Sequence, residues 1–103
     1  MARPFLSVVI PAYNEAERLP LTLIDVDHHL CGSEYSYEIL VVNDGSEDRT
    51  GEIVRRLSSS VKNVKVIDTE RRGRGAAVRV GMRAAKGNWR LLFPADNAVS
   101  IAE

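Results

Sequence analysis

The sequence contains a single cysteine, Cys31, among 103 residues. An internal disulfide framework is therefore excluded, and the usage fits a reducing compartment. Cys31 ends a helical stretch just before Gly32, which reads as a small apolar filler rather than a nucleophile. Net charge is also absent, with 14 Lys and Arg against 14 Asp and Glu. Charge balance thus gives no footprint for nucleic acid or for an acidic partner, and no nucleic-acid function is expected. No apolar run approaches the length that spans a bilayer. The opening MARPFLSVVIP meets a proline without a small-residue cleavage site, which argues against a signal peptide and for a cytoplasmic location. Repeats, low-complexity tracts and linkers are missing. His28 and His29 lack a Cys or carboxylate cluster at ligand spacing, so they read as surface or helix-end residues.

What is present is a composition of 45% apolar and 27% charged residues, enough for one small soluble domain with a modest core. FLSVVIP (5–11), SYEILVVND (36–44), NVKVID (63–68) and NWRLLF (88–93) read as strands. The first two are continuous and β-branched, as buried parallel strands are. Between them lie three helical patterns. NEAERLPLTLIDVDHHLCG has Asn14 as a candidate cap, Pro20 early, and Leu19, Leu23, Val26 and Leu30 as its buried stripe. GSEDRTGEIVRRLSS has Ser46 as a candidate cap and Ile53, Val54 and Leu57 inward. AAVRVGMRAAKG is rich in small residues that permit close packing on a sheet. The β-α-β-α-β-α-β order predicts right-handed crossovers and a Rossmann-like parallel α/β sheet covered on both faces. Ligands of such sheets bind beyond the carboxyl ends of the strands, at the switch in strand order. The segments there are PAYNE (11–15), NDGSEDRT (43–50), TERRGRG (69–75) and PADN (94–97), and these four are expected to converge.

Each segment alone is ambiguous. Asp44 at a strand end can accept from a ring N–H or a ribose hydroxyl, but a plain turn with a helix cap explains NDGS as well. RRGRG offers backbone N–H groups and guanidinium donors beside a helix start, a phosphate cradle in principle, yet a solvated basic loop has the same composition. It is not the dinucleotide fingerprint, because Val78 stands at the third glycine position, which counts against a dehydrogenase domain. Nor does a Gly-Lys-Ser/Thr follow. Asp96 lies past the fourth strand and offers a hard cation one carboxylate, or merely ends a turn.

Together, LSVVIPAYNEAERLP, EILVVNDGSEDRT, RRGRGAAVRVGMRAAKGNW and LLFPADNAVS resemble the nucleotide-binding half of family 2 glycosyltransferases, which have the GT-A fold. The RGRGAAVRVGM stretch looks most like the dolichyl- or polyprenyl-phosphate glucosyltransferase branch. The resemblance implies a donor site for a nucleoside-diphosphate sugar, a UDP-sugar by preference. It implies that Pro11, Ala12 and Tyr13 border the base and that Glu15 sits by the nucleotide. Asp44 would hydrogen-bond the base, with Asn43 where many relatives carry Asp. Gly73, Arg74 and Gly75 would lie along the diphosphate. The family's Asp-x-Asp motif falls on Pro94, Ala95 and Asp96, so Asp96 is the implied ligand of Mg2+ or Mn2+ and Pro94 replaces the first Asp. Pro94 cannot ligate a metal, and its ring has no N–H.

The resemblance further implies an inverting transfer to a lipid-phosphate or saccharide acceptor, with membrane association in a full-length form. Family members run well past this motif, so the acceptor site and the catalytic base are expected outside these 103 residues, and no catalytic residue is assigned. Surfaces left open by truncation are expected to pair in a homo-oligomer. The competing reading is a catalytically inactive nucleotide-binding or interaction module of the same fold.

Overall fold

A computed structural model of the chain describes residues 4–61 and 63–95. Seven elements alternate along it: β1 (Leu6–Ala12), α1 (Leu19–Leu30), β2 (Tyr37–Asp44), α2 (Thr50–Leu57), β3 (Val64–Thr69), α3 (Arg74–Ala84) and β4 (Trp89–Leu92). The strands form one parallel sheet in the order β3-β2-β1-β4. This is the expected Rossmann-like arrangement, and the order reverses between β1 and β4, where a crevice opens above the strand ends.

Side chains alternate across the pleat, so one apolar run supplies two cores. Val8, Ile10, Ile39 and Val41 face α1 and α2, where Leu19, Leu23, Val26 and Val54 are all fully buried. Val9, Leu40 and Val42 face α3 and meet Ala77 and Ala85. Helix α3 lies close because Gly81 has no side chain. A Cβ there would overlap Val9 Cγ1 and come within 3.0 Å of Val42 Cγ2. β4 departs from the buried pattern. It is an edge strand, and Trp89, Leu91 and Leu92 are exposed.

The lower edge of the sheet is fixed by a buried carboxylate. Glu38 accepts from the Ser7 hydroxyl at 2.6 Å and from the Lys86 N–H at 2.7 Å, with Lys65 Nζ 3.6 Å away. Ser7 Oγ in turn accepts from the Gly87 N–H at 2.8 Å. Burial pushes the Glu38 carboxyl up, but these donors outweigh it and hold the group below the ordinary glutamate value. The clamp ties the α3–β4 connection to β1 and β2, and so anchors α3 from the end opposite the crevice.

Several local expectations are corrected. Asn14 does not cap α1. The helix begins at Leu19, has no side-chain cap, and holds Pro20 in its first turn, where a missing N–H costs nothing. Ser46 does not cap α2, which starts at Thr50. Cys31 is exposed, not a core filler. His28 and His29 do lie in the last turn of α1, with His29 Nε2 3.5 Å from Asp25.

Candidate active site

The four strand ends converge as expected. A pocket of about 270 Å³ opens at the β1/β4 switch, lined by Pro11, Ala12, Tyr13, Glu15, Asp44 and Arg74, and also by Arg71, Ala77, Pro94 and Ala95.

Its walls are held by interlocked loops. Asn14 adopts a positive φ of 52°, which turns its side chain toward the loop after β2. Asn14 Oδ1 accepts from the Glu47 N–H at 2.8 Å and the Asp48 N–H at 3.3 Å. In return, the N–H groups of Asn14, Glu15 and Ala16 donate to Ser46 Oγ, Thr50 Oγ1 and Asp48 Oδ2 at 3.0, 2.9 and 3.3 Å. Residues that read as helix caps thus join two loops instead, which fixes Tyr13 and Glu15 relative to Asp44. On the other side, the buried Thr22 hydroxyl donates to the Ala95 carbonyl at 2.6 Å and holds the chain leaving β4 against α1.

Asp44 sits at the floor, its side chain only 3% exposed. Its oxygens accept from the Arg72 N–H at 3.0 Å, the Gly73 N–H at 3.2 Å and Arg71 Nη1 at 2.5 Å. Gly45 makes this approach feasible: it has φ +63°, and a Cβ there would lie 2.5 Å from the Arg71 backbone nitrogen. Asn43, one residue earlier, points across the sheet and donates to Asp68 Oδ1 at 2.9 Å. Its task is to brace β3, since Asp68 also pairs with Arg55 at 2.8 Å.

The RRGRG segment runs straight from this carboxylate into α3. Gly73 takes φ +98° as the residue before the helix. The first turn then presents the N–H groups of Arg74, Gly75 and Ala76, which a helix cannot satisfy internally, and the turn itself carries no acidic residue. Gly73 and Gly75 are not among the lining residues; they flank Arg74, which is.

Asp96 lies outside the described residues. Among the described residues no group of three or more His, Cys, Asp or Glu side chains could hold a metal ion. Glu15 and Asp44 are the two pocket carboxylates, and Asp44 is already committed to three donors. These residues do not by themselves make a metal centre.

Arg71 is a charged pocket residue that the sequence does not single out. In the sequence it is one cation of a basic loop, yet its guanidinium carbon lies 3.6 Å from the centre of the Tyr13 ring while it pairs with Asp44. Only the path of the loop over Gly45 makes this visible.

The family model for "Glycosyl transferase family 2" matches residues 7–102. The chain belongs to this family. A dolichyl-phosphate beta-glucosyltransferase of Trichomonas vaginalis is 36% identical over 106 residues, covering 97% of this chain and 33% of the relative. The Drosophila melanogaster enzyme of the same description is 38% identical over 106 residues, covering 95% and 32%. This chain therefore spans about a third of the length of these relatives. Among solved structures, the mannosyltransferase PcManGT of Pyrobaculum calidifontis, in complex with GDP-Man and Mn2+, superposes with a TM-score of 0.78 at 29% identity, covering 93% of this chain and 28% of that one. Staphylococcus aureus TarS 1-349, in complex with UDP-GlcNAc, gives a TM-score of 0.77 at 27% identity, covering 89% and 26%. The glycosyltransferase GT-A fold and the kinship with dolichyl-phosphate glucosyltransferases are thereby established. The comparisons lend no support to the expected homo-oligomer, nor to an inactive module. Among the described residues no helix is long and apolar enough to cross a membrane.

Proposed function

We propose that this chain is the donor-binding unit of a longer glycosyltransferase, and that its pocket takes a nucleoside-diphosphate sugar, with UDP as the nucleotide. The observation that carries this reading is the joining of two chemistries in one pocket. At one end a buried carboxylate, Asp44, lies beside an aromatic ring, Tyr13. At the other, Arg74 and the open N–H groups of the first turn of α3 favour an anion.

In this reading Pro11, Ala12 and Tyr13 border the base, Asp44 accepts the N3–H of uracil, and Glu15 stands by the nucleotide. Gly73, Arg74 and Gly75 follow the diphosphate. Asp96 would hold a divalent cation together with the diphosphate, and the cation would supply charge to offset the phosphates. Transfer then consists of attack by an acceptor oxygen at the anomeric carbon while the bond to the diphosphate oxygen breaks. Arg74 and the α3 N–H groups stabilise the negative charge of the departing UDP. The acceptor, a lipid phosphate by kinship with the dolichyl-phosphate enzymes, is handled by residues beyond these.

Calorimetric titration tests the reading. The chain is titrated with UDP and with GDP, each with and without Mn2+. Saturable UDP binding, several-fold tighter than GDP and tightened further by Mn2+, is the expected result. Heat no greater than buffer dilution for both nucleotides contradicts it.

A further inference from the structure

The Arg71 guanidinium is a planar group that stacks 3.6 Å from the centre of the Tyr13 ring and donates to Asp44 Oδ2 at 2.5 Å. Those are the two contacts, stacking and an N–H donated to a buried carboxylate, that a uracil base needs from the same pocket. Arg71 covers this Tyr13 face and takes a bond of this carboxylate, so a base that uses the same two contacts must displace it. Asp44 is 3% exposed and also accepts from Arg72 and Gly73, so the Arg71 bond is the one of the three that a side-chain movement can release. The Arg71 side chain itself is 49% exposed, so it is free to swing out without breaking a core. The backbone bonds of Arg72 and Gly73 to Asp44 do not depend on it and keep the loop in place when it leaves.

We infer that Arg71 is an internal stand-in for the base: it occupies the base seat of the empty pocket and must be exchanged for the nucleobase when the donor binds. The inference rests on the uridine-site reading above. It makes Arg71 a determinant of affinity. The measured dissociation constant is the intrinsic one divided by the fraction of chains with Arg71 swung out. It also protects the site. Without Arg71, the Tyr13 face and the Asp44 carboxylate are open to any planar donor, whereas with it only a ligand that brings both stacking and an N–H recovers what is displaced. A cation–π contact together with a half-exposed ion pair sets the size of this penalty at on the order of 5- to 20-fold in affinity.

The test uses uridine, which has no phosphates, so that loss of an Arg71–phosphate contact cannot mask the gain. Wild-type chain, Arg71→Met and Arg71→Lys are titrated with uridine and with UDP by NMR. Circular dichroism confirms that helix content is retained. Arg71→Met removes charge and plane and is expected to bind uridine about 5- to 20-fold more tightly than wild type. Arg71→Lys keeps a charge for Asp44 but loses the planar stack, so a smaller gain is expected. Uridine affinity that is unchanged or weaker in Arg71→Met, while wild type binds UDP, overturns the inference and leaves the donor-site reading standing. If Arg71→Met does not fold, Arg71→Lys decides: a gain on uridine supports the exchange, and no gain overturns it. Failure of all three chains to bind UDP contradicts the donor site itself and takes the inference with it.

Discussion

Replacing Asp44 with alanine is expected to weaken UDP binding by about 10- to 100-fold, the equivalent of one charge-assisted hydrogen bond of about 1.5–3 kcal/mol. The same change acts on the fold. The N–H groups of Arg72 and Gly73 and the Arg71 guanidinium all converge on this carboxylate, and it joins the end of β2 to the start of α3. Its removal leaves two backbone donors to water and one cation without its partner, at a cost of about 1–3 kcal/mol in stability. Asp44→Asn retains the shape but turns one oxygen into an NH2 group facing donors, so it is expected to behave much like alanine. UDP titration and urea unfolding on the same samples separate the two effects. An Asp44→Ala chain that keeps full UDP affinity would show that this residue serves the loop alone.

The second large effect is expected at Gly81. Helix α3 carries the cationic end of the pocket, and it can sit where it does only because no side chain separates it from Val9 and Val42. Alanine improves helix propensity by about 1 kcal/mol but forces an overlap that costs about 1–3 kcal/mol, so Gly81→Ala is expected to be neutral to mildly destabilising. Valine adds two more carbons to a contact with no room. Gly81→Val is expected to cost about 3 kcal/mol or more, which for a domain of this size lowers the melting temperature by roughly 12–24 °C. Gly75 is the internal comparison. It lies in the same helix, and a methyl group added there would meet nothing within 4 Å. Gly75→Ala is therefore expected to raise the urea midpoint. If Gly81→Val and Gly75→Ala melt alike, α3 is not seated on the sheet through Gly81.

The two sites also show which features a sequence makes legible. Strands β1 and β2 declare themselves because both of their faces are buried, so apolar and β-branched residues run unbroken over Val8–Ala12 and Ile39–Val42. The stripe of Leu19, Leu23, Val26 and Leu30 likewise follows from helical spacing and is buried as expected. The exposure of β4 is not legible, because an apolar strand reads the same whether it has neighbours on one side or two. Asn14 and Ser46 mislead for a related reason. Each has the chemistry of a helix cap, but the N–H groups nearest to them in space belong to another loop, and tertiary proximity decides which donor a side chain serves. Asp44 can be found by its position at a strand end. Its partners cannot, since Arg71, Arg72 and Gly73 lie 27–29 residues further on and are brought in by the β3 crossover. Pro94 and Ala95 reach the pocket through the bond from Thr22, which is 73 residues from Ala95 in sequence.

The nucleotide sits, on this account, at the carboxyl ends of the strands, between Asp44 and the start of α3. Amide NMR spectra recorded while UDP is added test that placement most directly, with the glycines as reporters. Gly73 and Gly75 belong to the proposed seat and Gly45 adjoins Asp44, whereas Gly32 follows α1 and Gly87 is bonded to Ser7 at the opposite edge of the sheet. Saturable shifts at Gly45, Gly73 and Gly75, with Gly32 and Gly87 unmoved, are the predicted result. Shifts confined to Gly32 and Gly87, or no saturable shift at any of the five, would contradict it.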